Sequence, residues 1–149
     1  MPTKLNFGAQ VDSWVRESEQ RMLAVFREST QRTISLAQEA VPVDTGFLRA
    51  SIQASLSAMP TIAEEKSGGS AKKNAKALAK FDNTVVLTIA GAKLGQTIYV
   101  GYTASYAIYV EYGTSKMSPR PYVGLAAAQW SRTVSQVVDE LKTRVAAGR

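Results

Sequence analysis

The sequence predicts an α+β fold: long N- and C-terminal helices packed on a small antiparallel β-sheet, with a flexible lysine-rich loop. Three observations carry this. Apolar residues recur at helical spacing over residues 8–40. They do so again from Val123 to Val145, nearly as a heptad. Between these stretches lie short alternating or β-branched runs separated by glycine turns, as strands require.

In the first helix the apolar side chains are Val11, Trp14, Val15, Met22, Val25, Phe26, Ile34 and Leu36, with Arg16, Glu17, Glu19, Arg27, Glu28 and Gln38 opposite. Asp12 or Ser13 is placed to cap an early turn. Pro42 ends the helix, because the residue before a proline avoids helical dihedrals. Asp44 then suits an N-cap, with one or two helical turns over Thr45–Ala50. Ser51–Ser57 alternates polar and apolar and reads as a strand.

Residues 59–80 hold Lys66, Lys72, Lys73, Lys76 and Lys80 against Glu64 and Glu65, with no aromatic residue. Such a segment buries little and is expected to be a mobile loop inserted in one domain spanning 1–149. Asn83–Ile89 and Thr97–Tyr102 then read as two strands of a hairpin around Gly91 and Gly95. A short helix over Ser105–Thr114 follows, stopped by Gly113. Pro121 opens the last helix. There Val123, Ala127, Trp130, Val134, Val137, Leu141 and Val145 form a seam that fits against the first helix, the one candidate in the chain, or against a neighbouring subunit, and the basic end Thr143–Arg149 reads as a tail outside it.

The composition excludes several chemistries. There is no cysteine and no histidine. Disulfides, thiolate nucleophiles, imidazole bases and the commonest metal ligands are therefore absent. No apolar run reaches the ~20 residues of a membrane span. The N-terminus lacks the layout of a signal peptide, so the chain is expected to stay in the cytoplasm where it is made. The net charge of +6 suits either nucleic-acid contact or solubility.

Asp44-Thr45-Gly46 matches the aspartic-protease triplet. That enzyme needs the aspartate at the end of a buried strand, sharing a proton with a symmetry mate. Here a helix and Pro42 precede the triplet, Phe47 follows it, and the strands of an all-β barrel are missing. A helix cap at Asp44 and a tight turn at Gly46 explain the same residues.

Val41-Pro42-Val43-Asp44-Thr45-Gly46-Phe47-Leu48-Arg49-Ala50-Ser51-Ile52 resembles the first signature of a family of small tailed-phage proteins, the tail components typified by a neck-region product of HK97-like phages. Tyr106-Ala107-Ile108-Tyr109-Val110-Glu111-Tyr112-Gly113-Thr114, followed by Arg120-Pro121-Tyr122, resembles the second. The resemblance implies a structural, non-enzymatic virion protein made in the host bacterial cytoplasm, with no cofactor. It implies a homo-oligomeric ring in the neck that joins tail to head connector, a tail completion role. Its partners would be other copies, the adaptor and stopper proteins, and the tail terminator or tail tube. The alternatives are a tail terminator capping the tube and a non-specific nucleic-acid-binding protein.

Within that reading Asp44, Thr45, Gly46 and Arg49 form a structural turn motif, and Arg49 is a candidate partner for Glu111. Tyr99, Tyr102, Tyr106, Tyr109, Tyr112 and Tyr122 crowd into 24 residues. Together with Glu111 they form a candidate interface, since tyrosine offers large contact area with a polar tip. Lys66, Lys72, Lys73, Lys76 and Lys80 are candidates to face DNA in a ring lumen, a contact that would depend strongly on salt.

Overall fold

The computed structural model describes residues 7–42, 47–62 and 84–148. The lysines of the 59–80 loop and Asp44, Thr45 and Gly46 lie outside the described residues. The elements run α1 (Phe7–Ala40), α2 (Phe47–Ala50), β1 (Ile52–Ser55), α3 (84–91), β2 (Tyr99–Tyr102), α4 (Ala107–Tyr112), α5 (Tyr122–Ala128) and α6 (Trp130–Ala147).

α1 is one unbroken helix of 34 residues, about 51 Å long at 1.5 Å per residue. No proline or glycine interrupts it between Ala9 and Val41. It starts earlier than Asp12, which is an interior position and pairs with Arg16 at 3.5 Å instead of capping a turn. Burial is confined to its C-terminal part, at Ser29, Thr30, Ile34 and Ala37. No residue from Phe7 to Glu28 is buried.

β1 and β2 pair antiparallel, with Ile52 opposite Tyr102 and Ser55 opposite Tyr99. The expected strand at 83–89 is a helix over its described part. The reason lies in which side chains are buried. Val85, Ile89 and Ala92 are 3%, 5% and 0% exposed, a helical spacing. Leu87, which a strand would place beside Val85 and Ile89, is 72% exposed. β2 therefore finds its partner in β1, and no hairpin joins 83–89 to 97–102. Arg27 fixes the turn after α3, donating Nε and Nη2 to the Ala92 carbonyl at 3.2 and 2.7 Å.

Two apolar clusters sit between helices and sheet. One joins Val41, Leu48, Ala104, Ala107 and Tyr122. The other joins Ile34, Ile52, Val85 and Ile89. Tyr102 packs against both.

The predicted C-terminal helix is two helices, broken at Gln129 (φ −89°, ψ 1°). The buried face runs on across the break at heptad spacing, one residue before the expected seam except at Val137. Tyr122, Ala126, Thr133 and Val137 face inward, while Val123 and Trp130 of the expected seam are 44% and 38% exposed. α5 and α6 both pack on α1, as expected of the C-terminal segment. Arg32 clasps Glu140 across the α1–α6 contact, with Nη1–Oε1 at 3.0 Å. That hydrogen bond holds the Glu140 carboxyl below its ordinary range. α6 continues through Ala147, so most of the expected tail is helical.

Candidate functional site

The two segments carrying the family resemblance meet around the end of α1, each tied down differently. Arg49 donates Nε to the Gln38 carbonyl at 3.1 Å, and Gln38 returns Nε2 to the Arg49 carbonyl at 3.2 Å. Gln38 also accepts the Tyr102 hydroxyl at 2.6 Å. One glutamine of α1 thus joins α2 and β2. Sequence reasoning missed Gln38, and a lone glutamine on a helix gives no signal for such a role.

Glu111 does not pair with Arg49. Its carboxylate accepts the backbone N–H groups of Val123 at 3.0 Å and Gly124 at 2.8 Å. Those donors belong to the first turn of α5, which has no local side-chain cap. A helix N-terminus presents unsatisfied N–H groups and a positive dipole end, and a carboxylate satisfies both. The glycine matters, because a Cβ at position 124 would lie 3.0 Å from Glu111 Oε1.

Gly113 follows at φ +75°, where a Cβ would lie 2.7 Å from the Pro119 nitrogen. This left-handed turn brings the chain back so that Arg120 N–H reaches the Val110 carbonyl at 2.8 Å. Both halves of the second signature therefore build one joint: a helix, a reversal, and a second helix capped by the first.

The tyrosines divide. Tyr122 is 2% exposed, donates its hydroxyl to the Ala107 carbonyl at 3.1 Å and meets Tyr102 edge-on at 5.0 Å. Tyr106 stacks at a tilt on Phe47, centroids 6.0 Å apart. Tyr122 belongs to the core, and Tyr102 and Tyr106 are partly buried against it. Burial, with help from Glu111 and Tyr106, pushes the Tyr122 phenol up to about 12. Tyr99 is partly buried, and Tyr109 and Tyr112 are 57% and 76% exposed.

Beside the exposed tyrosines lies an open groove of about 390 Å³ between the sheet, α4 and α5. Its walls include Met59, Val100, Ile108, Val123 and Ala127, and Glu111 is the one charged residue among them. Gly101 forms part of the floor, with Met59 Cε 3.1 Å from where its Cβ would be. Among the described residues, no group of three histidines, cysteines or carboxylates could hold a metal ion. No described helix is long and apolar enough to cross a membrane.

What this geometry defines is a helical scaffold: long helices braced on a small sheet, with an open apolar groove at the joint. Comparison with protein families assigns it. A family model described as "Bacteriophage HK97-gp10, putative tail-component" matches residues 6–113, and the chain belongs to this HK97-gp10-like family of phage tail components. The match takes in both α1 and the Glu111–Gly113 joint and stops before α5. Neither the curated proteins nor the solved structures gives a match to this chain.

Proposed function

We propose that the protein is a non-enzymatic, ring-forming component of the virion neck that joins the phage tail to the head connector. Membership of the tail-component family supports the structural role. The observation that carries the finer reading is the surface. Ile108 and Tyr112 are each more than half exposed on the wall of one apolar groove, and Tyr109 and Leu125, on the same helices α4 and α5, are more than half exposed outside it. A monomer rarely shows a large contiguous apolar patch unless it docks something. A joining protein meets neighbours above, below and on both sides, so it needs such surfaces and no reactive group.

The test is electron microscopy of lysates from a phage with this gene disrupted. Filled heads lying beside separate tails of normal length are expected. Overlong tails would assign the chain to tail termination instead. Intact infectious particles would overturn the neck reading.

A further inference from the structure

The N-terminal half of α1 carries an exposed apolar stripe that no described residue covers. Phe7, Val11, Trp14, Val15 and Met22 are 81%, 42%, 69%, 38% and 56% exposed. At about 100° per residue they share one face of the helix. The turn after α3 approaches this half of α1 through Lys93 and Leu94, but from the side of Arg16, Glu19, Gln20 and Leu23, centred about 140° around the helix from the stripe.

The five side chains offer on the order of 600 Å² of mostly apolar surface, two of them being large aromatics. A specific interface buries about 800 Å² on each partner. The stripe is therefore most of one side of a stable contact. Leaving it in water would cost far more than the i,i+4 pairs Arg16–Asp12 and Arg21–Glu17 return.

Charge indicates what covers it. From Phe7 to Glu28 the carboxylates Asp12, Glu17, Glu19 and Glu28 outnumber the guanidiniums Arg16, Arg21 and Arg27 by one. The whole chain is +6, so everything outside this arm sums to +7. The arm is thus weakly attracted to the body of another copy and weakly repelled by another arm. The body has a matching surface in the groove beside α4 and α5. It is open and apolar, and the carboxylate of Glu111 is already occupied by two N–H groups. The loop leaving α4 adds the cations Lys116 and Arg120.

We propose that the apolar stripe of α1 seats in the sheet–α4–α5 groove of a second copy of this chain. Each copy then gives one arm and receives one, a head-to-tail contact between two different surfaces. Such contacts close into rings when the rotation between copies allows, whereas arm against arm would stop at a dimer. The proposal deepens the ring reading above and rests on it for the number of copies that meet.

The absence of cysteine makes the test direct. Val11→Cys and Ala127→Cys place one thiol on the stripe and one at the groove. Purified at high concentration and oxidised, the two variants mixed should give a disulfide dimer, while each alone stays monomeric on a non-reducing gel. A chain carrying both should give a ladder of multimers. Trp14→Glu, at a side chain 69% exposed on a stretch of α1 with no buried residue, should abolish the ladder and leave the circular dichroism spectrum unchanged. A disulfide dimer from Val11→Cys alone would overturn the proposal in favour of arm-to-arm pairing. No disulfide in the mixture would overturn it outright. Mass spectrometry of purified particles separates the two readings: a chain missing from the virion sinks the neck role, yet leaves the arm–groove contact standing or falling on the gel.

Discussion

The carboxylate of Glu111, near the end of α4, accepts the backbone N–H of Gly124, in the first turn of α5, at 2.8 Å. A side chain from one helix thereby does for the next what a local serine or aspartate usually does. A Cβ at 124 would lie 3.0 Å from Oε1, so the carboxylate would have to shift by a few tenths of an ångström to keep the bond.

Glu111→Ala should lower stability by about 1–2 kcal/mol, the usual effect of removing a cap whose acceptor is charged. Glu111→Gln keeps one acceptor and should lose less. Urea denaturation followed by circular dichroism measures both. Wild-type stability in Glu111→Ala would show that α5 does not depend on this cap.

Gly113 combines a positive φ with backbone atoms where a side chain would go. Gly113→Ala should cost about 1–3 kcal/mol, as forced left-handed positions do. A midpoint shift in the same denaturation series gives the figure. Gly91 has nothing within 4 Å of its Cβ position and no positive φ. Gly91→Ala should therefore be neutral or slightly stabilising.

Ser29 is 0% exposed, and its hydroxyl is the one buried side-chain polar atom without a hydrogen-bond partner among the described residues. An unsatisfied buried hydroxyl is a cost rather than a contribution. Ser29→Ala should therefore hold or raise the melting temperature. A fall of several degrees would mean that the hydroxyl is bonded in solution.

Tyr122 sets a limit on the alkaline side. Its phenol rises from an ordinary 10.0 to about 12, chiefly through burial. The folded state thus holds this proton more tightly than the unfolded chain. The stabilisation is complete below pH 10 and is lost as pH rises through 12. Tyr122→Phe should flatten the stability profile in that window. At neutral pH it should cost about 1 kcal/mol, because the Ala107 carbonyl loses its donor. Denaturation midpoints at pH 8 and pH 11 distinguish the two effects.

Much of the architecture could be read from side-chain periodicity and from proline and glycine. The spacing of Val11 to Leu36 and the stop at Pro42 give α1 to within a residue or two. Alternation after Ser51 gives β1, and Gly113 marks the end of α4. Val85–Ile89 was not legible, because a short continuous apolar run fits a buried strand and a helix equally well. Only packing against Ile34 and Ile52 decides it. The site was less legible still. Pairing by opposite charge pointed Arg49 at Glu111, while the partners each found were backbone groups. Those are the same in every residue and leave no mark on a sequence. The tyrosines were visible as a cluster, but their division into buried Tyr122 and exposed Tyr112 depends on which face of each helix meets the core.

α1 passes from its exposed N-terminal half into the core without a flexure point, since no glycine or proline lies between Ala9 and Val41. Twenty residues separate Trp14 from Ile34, about 30 Å of continuous helix. A push or pull on the far end cannot be absorbed by bending at a loop. It arrives as displacement at Ile34 and, through Ile34, at Ile52 and the sheet. The helix is in that sense a transmission shaft, and whatever grips its outer end has a mechanical hold on the centre of the molecule.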